Sequence, residues 1–138
     1  NSIFLDTLNK KDTKRPPVWF MRQAGRILPS YQALKKKHSF SDLMKSPELA
    51  AKVTLLPIND LGVDAAILFS DILIVPEALG MGLDFTDKGP IFSKPLTQFE
   101  KPSEQLIVDR SKLTHVYDNI DEVIKIRHEN TPLIGFCG

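Results

Sequence analysis

One cysteine, Cys137, in 138 residues rules out an internal disulfide and a thiolate metal site, and it suits a reducing compartment. The three histidines, His38, His115 and His128, lie on polar stretches without ligand spacing, so no metal is expected. No apolar run approaches the roughly 20 residues a membrane helix needs, and no signal-peptide pattern opens the chain. The expectation is a cytoplasmic chain with no membrane partner. Neither G-x-x-x-x-G-K-[ST] nor G-x-G-x-x-G occurs, and "GMGLDF" is too short to stand in for them, so nucleotide phosphates have no cradle. Aromatic residues are few, at 8%, and are not interleaved with the lysines as a base-stacking platform requires, which argues against nucleic acid. Trp19 and Cys137 read as core.

What is present is an ordinary globular composition, 42% hydrophobic and 25% charged, in a chain long enough for one domain with a real core. The net charge of +1 conceals an asymmetry. Residues 10–37 hold nine of the 18 basic residues (Lys10, Lys11, Lys14, Arg15, Arg22, Arg26, Lys35, Lys36 and Lys37) against one acid, Asp12. A local positive field near the N-terminus follows. "KKDTKR" and "KKK" read as solvated surface. Arg22 and Arg26, spaced by Gln-Ala-Gly after the apolar "PVWFM", stand in a less ordinary context.

No internal repeat interrupts the chain. Residues 2–10 read as a short helix with Ile3, Phe4 and Leu8 on one side. "PPVWFM" reads as a buried strand, and "SYQALKKK" as a short helix capped by Ser30. "SPELAAKVTLLPINDLG" opens on Ser46 as N-cap and Pro47 at the first helical position, with Leu49, Val53, Leu56 and Leu61 at helical spacing. Pro57 is expected to kink or end that helix. Residues 63–70, "VDAAILFS", form a near-continuous apolar run expected of a strand covered on both faces. "DILIVPEALGMG" follows as loop or short helix, then "LDFTDKGPIF" as a hairpin turning at Asp87 to Pro90. "PSEQLIVDR" and "THVYDNIDEVIKIRHEN" read as helices, the second with Val116, Ile120, Val123 and Ile124 on one face, stopped by Asn130 and Pro132. "PLIGFCG" is a third apolar strand. Strands separated by helices call for right-handed crossovers and a parallel sheet. That leaves a small open α/β domain or the opening segment of a barrel.

In parallel α/β folds, functional residues gather beyond the carboxyl ends of strands. Arg22, Gln23 and Arg26 follow the first strand, and Asp71 follows the second. A guanidinium never loses its proton and binds carboxylates or phosphates bidentately. Gly25 can let the backbone approach a ligand or take a positive φ. The plainer alternatives stay open here: Asp71 as a helix cap or partner of Arg22, and the arginines as ties from loop to scaffold.

"PVWFMRQAGRILPSY" and "DAAILFSDILIVPEALGMGLDF" closely resemble the uroporphyrinogen decarboxylase family, and the resemblance runs over all 138 residues. It implies an α/β fold, with the chain as the N-terminal portion of a TIM (β/α)8 barrel holding about three parallel strands and their helices. Residues 1–138 would then be one segment of a single catalytic domain. The family uses neither cofactor nor metal, works as a homodimer, and removes carbon dioxide from the four acetates of uroporphyrinogen III to give coproporphyrinogen III. By this match Arg22, Gln23, Ala24, Gly25 and Arg26 form a substrate-binding segment, and Asp71 and Arg22 are catalytic. The family's Asp accepts hydrogen bonds from pyrrole N–H groups, while Arg22 would hold the reacting carboxylate or assist proton delivery. Lys35 stands where some relatives place an Arg that reaches the substrate. Ile27 and Ser30 replace the family's usual Tyr and acid. Later pocket residues of the family would lie beyond Gly138, so this chain alone is expected to be inactive. A corrinoid-linked methyltransferase on the same barrel needs zinc ligands from later strands, and the "RQAGR" and "FSD" blocks argue against it. A non-catalytic polyanion-binding or assembly module is the remaining alternative.

Overall fold

The Ser46-Pro47 pair starts the longest helix, which forms the centre of the packed core. Four helices precede the first strand: α1 (Ile3–Leu8), α2 (Pro29–Lys35), α3 (Phe40–Lys45) and α4 (Pro47–Leu61). Then follow β1 (Ala66–Ile67), α5 (Ile74–Ala78), the hairpin β2 (Leu83–Thr86) and β3 (Gly89–Phe92), α6 (Thr114–Ile126) and β4 (Leu133–Ile134). The computed structural model describes residues 2–86 and 88–136. Short 3-10 turns at Leu96–Gln98, Pro102–Gln105 and Arg110–Leu113 link the hairpin to α6.

Helix α4 is capped as its sequence predicts. The Ser46 hydroxyl accepts from the Leu49 N–H, Pro47 occupies the first turn, and Gly62 ends the helix in the left-handed conformation (φ 67°) that favours glycine. Pro57 does not end it. The ring is buried within the helix, which continues to Leu61, so packing outweighs the one backbone bond that proline forfeits. One side of α4 sends Val53 and Leu56 into a cluster with Leu28, Tyr31, Leu43, Met44 and Phe69. The other sends Ala51 against Leu68 and Val123. Phe40 lies between Phe69 and Phe85 at ring-centre distances of 5.7 and 4.8 Å, which joins the hairpin to this core.

The structure corrects several sequence expectations. β1 and β4 pair in parallel, Ala66 with Leu133 and Ile67 with Ile134, so two of the three apolar runs do meet in register. "PPVWFM" makes no ladder: its donors are taken by side chains, Val18 N–H by Asp64 and Phe20 N–H by Gln23. Trp19 is accordingly 40% exposed, and not core. Ser30 does not cap α2. Leu28 holds the N-cap position because Pro29 suits the first turn, and the Ser30 hydroxyl bonds the Asp60 carboxylate instead. The stretch 102–109 makes one 3-10 turn and then runs extended, because Ile107 N–H and Asp109 N–H bond the carbonyls of Leu79 and Ala78 at the end of α5. Helix α6 stops at Ile126, before Asn130, and Ile124 faces outward at 52% exposure. The hairpin forms as read, Leu83 opposite Phe92 and Thr86 opposite Gly89. Asp87 of its turn and Cys137 lie outside the described residues.

Candidate functional site

The segment before the arginine loop is fixed by one ion pair. Arg15 forks onto Asp64 at 2.7 and 2.8 Å, and the same carboxylate accepts the Val18 N–H at 2.6 Å. Asp64 N–H returns a bond to the Val18 carbonyl at 2.7 Å. The Arg15 guanidinium holds the Asp64 carboxyl below the usual carboxylate range, while Asp64 raises the guanidinium in turn. Neither residue was singled out from the sequence, where Arg15 passes for part of a solvated basic run. The signal that could have found the pair is an acid placed at the mouth of an apolar strand.

Gln23 makes the second fixing. It is 1% exposed; its Nε2 donates to the Ala65 carbonyl at 2.8 Å and its Oε1 accepts the Phe20 N–H at 3.0 Å. Its backbone N–H closes a turn onto the Phe20 carbonyl at 3.1 Å. Between Phe20 and Gln23, Arg22 takes a left-handed backbone (φ 58°), a conformation uncommon outside glycine. Gly25 does not take the positive φ that the sequence allowed it, and a Cβ there would meet the Arg22 carbonyl at 3.4 Å, ordinary contact. Ala24 packs on the core cluster.

Arg22 and Arg26 are exposed, and among the described residues neither makes an ion pair. Gln32 Nε2 holds the Arg26 carbonyl at 2.8 Å. Arg26, Gln32, Lys36 and Lys37 line an open groove of about 550 Å³ along α2. Burial pushes the Tyr31 hydroxyl up, against the opposing pull of the Arg26 charge. Lys35 is exposed in the last turn of α2 and does not line that groove.

Asp71 leaves the β1 run half-buried. Its Oδ1 accepts the Leu73 N–H at 2.7 Å, an Asx turn leading into α5. Its other oxygen has no protein donor among the described residues, and no ion pair joins it to Arg22. The neighbouring Ser70 hydroxyl is buried without a partner. Upstream, the Thr54 hydroxyl donates to the Ala50 carbonyl and accepts the Phe69 N–H at 2.9 Å, tying α4 to this strand end. Among the described residues no three His, Cys, Asp or Glu side chains gather as a metal would require. Nor is any helix there long and apolar enough to cross a membrane.

The chain is an α/β scaffold in which Gln23 ties the arginine loop to the Ala65 carbonyl just ahead of β1, and Asp71 follows that strand. Comparison supplies the family. The model for uroporphyrinogen decarboxylase (URO-D) matches residues 1–138, and the chain belongs to that family. A uroporphyrinogen decarboxylase of Protochlamydia amoebophila is 52% identical over 100% of this chain and 38% of its own length. Those of Chloroherpeton thalassium and Helicobacter acinonychis are 45% and 46% identical over 40% and 41% of their lengths. The chain thus spans about two-fifths of these relatives. Among solved structures, a methyltransferase from Methanosarcina mazei superposes with a TM-score of 0.60 at 20% identity, over 97% of this chain and 41% of that one. That likeness concerns the fold.

Proposed function

We propose that the chain supplies the N-terminal two-fifths of a cytoplasmic, homodimeric uroporphyrinogen decarboxylase, as one segment of a single TIM-barrel domain. The substrate is uroporphyrinogen, whose four acetates lose carbon dioxide to give coproporphyrinogen in haem biosynthesis. The observation that carries this reading is the pair of exposed arginines, without an ion pair among the described residues, on a loop tied at Ala65 to the run that leads through β1 to Asp71. Arg22 and Arg26 bind substrate carboxylates, with the 22–26 backbone framing them. The Asp71 carboxylate, one oxygen fixed on Leu73 N–H, accepts pyrrole N–H groups with the other.

The chemistry needs a charge of that sign. Protonating the ring carbon next to the one that bears the acetate makes the ring cationic. The C–C bond to the carboxylate then breaks, its electron pair forms an exocyclic double bond to the acetate-bearing carbon, and carbon dioxide leaves. The methylene then takes up a proton and the ring carbon releases its own, which restores the pyrrole with a methyl group. A fixed carboxylate beneath the ring stabilises the developing cation, and removing such a group costs on the order of 100-fold in rate. Arg22 holds the reacting carboxylate.

A chimera tests this reading. The first two-fifths of the Protochlamydia amoebophila relative are replaced by this chain, and decarboxylation of uroporphyrinogen is followed. The chimera is expected to turn over and its Asp71→Asn variant to fall by about 100-fold or more; this chain alone is expected to show no turnover. A folded chimera that does not decarboxylate would overturn the assignment.

A further inference from the structure

We propose that Gln23 is a positioning residue whose buried amide, bridging Phe20 N–H and the Ala65 carbonyl, sets the left-handed backbone of Arg22 and so aims that guanidinium from the strand that leads to Asp71. This rests on the reading of Arg22 as an anion-binding group, and it moves Gln23 out of the substrate-contacting set in which the family resemblance placed it. The Gln23 amide bonds the protein at both ends and, at 1% exposure, is buried out of a ligand's reach.

The requirement for glutamine is chemical. The bridge needs a donor for a carbonyl and an acceptor for an N–H on one planar head, buried, at the end of a two-carbon stem. Glutamate offers two acceptors and would set a carboxylate against the Ala65 carbonyl. Methionine fills the space but leaves both backbone groups unsatisfied. A non-glycine residue at φ 58° persists only where its surroundings over-determine it. Around Arg22 they do: the Gln23 N–H closes onto the Phe20 carbonyl, Leu28 N–H onto that of Gly25 at 3.0 Å, and Gln32 onto that of Arg26. Of these ties, the Gln23 side chain is the one that reaches across to the strand, at Ala65, six residues ahead of Asp71.

The test compares the chain itself with its Gln23→Met and Gln23→Glu variants. The first readout is the HN–Hα coupling and Cα shift of Arg22 by NMR, which report a left-handed backbone without reference to activity. At neutral pH both variants are expected to lose the left-handed signature. On acidification Gln23→Glu is expected to regain it, because the neutral acid donates to Ala65 and accepts from Phe20 as the amide does; Gln23→Met is not. The second readout is affinity for uroporphyrin I, a stable octacarboxylate, normalised to the parent chain at each pH. It is expected to fall by about tenfold in both variants and to recover only for Gln23→Glu in acid. Retention of the left-handed signature in both variants overturns the proposal, as does its loss without acid recovery, which would make Gln23 mere packing. If the signature responds as expected but the parent chain does not bind the octacarboxylate, the positioning of Arg22 stands and the anion-binding reading falls.

Discussion

Two regions of this chain are held by different physics. The layer of α3, α4 and α6 is held by packing: Leu43, Met44, Ala51, Val53 and Val123 are fully buried, and a buried polar link between its helices runs from Asn119 Nδ2 to the Met44 carbonyl at 2.7 Å. The segment 15–23 is held by directional polar ties. Arg15 and Val18 meet on Asp64, and Gln23 meets Ala65, while Phe20 and Met21 stay 53% and 79% exposed. Packing tolerates substitution by volume, whereas polar ties fail when one partner is lost and the other is left unsatisfied. The region with the candidate site is the one that depends on few, specific bonds.

That contrast can be broken on either side, and the largest effect is expected in the packed layer. Leu43→Ala, at a fully buried site, should cost about 3 to 5 kcal/mol, read as a lower urea midpoint at unchanged slope. Next comes Asp64→Ala. It strips the exposed Arg15 of its partner and leaves the Val18 N–H to solvent, and about 1 to 2 kcal/mol is expected to be lost, with amide exchange rising most in residues 15–23. A loss spread evenly over the chain would mean that the clamp is not local. Thr54→Val keeps shape but leaves the Phe69 N–H without its acceptor; about 1 to 2 kcal/mol is expected from the same denaturation measurement.

Acid should act on the chain in two windows. Burial lowers the His115 pKa, so the folded state prefers the neutral ring and its contribution is lost as pH falls below the ordinary histidine range of about 6.5. Asp64 is lowered by Arg15, so its contribution is present above the unfolded carboxylate range near 4 and is lost as pH falls through its folded value. Stability measured against pH should therefore fall in two steps, and Asp64→Asn should shrink the lower one, which Asp42, Glu48 and Asp109 share, while leaving the upper one in place. The smallest effect is expected at the exposed Lys125–Glu122 pair, where Lys125→Ala should change stability by about 0.5 kcal/mol or less.

The same division explains what could be read from the sequence. The caps of α4, the apolar face of α6 through Val116, Ile120 and Val123, and the hairpin all follow from periodicity and turn chemistry, which are local properties. The failures lie where a distant side chain decides. "PPVWFM" has the composition of a strand, but Asp64 and Gln23 take its donors from 46 and three residues away. Pro57 carries a strong helix-breaking preference that burial overrides. At the candidate site the residue types and order were legible: two arginines after one apolar run and Asp71 after the next. Their fixings were not, because nothing local in the sequence pairs Arg15 with a carboxylate 49 positions on, or shows that Gln23 points inward and Arg22 outward.

In the proposed enzyme, Arg22 meets the substrate while its neighbour Gln23 serves the scaffold. The most direct measurement is steady-state decarboxylation of uroporphyrinogen by the chimera and its Arg22→Ala variant, with the fold checked by thermal unfolding. The expected result is a fall of about 100-fold or more in kcat/KM with the unfolding midpoint unchanged, since Arg22 makes no ion pair among the described residues. Undiminished decarboxylation by a folded Arg22→Ala chimera would contradict it.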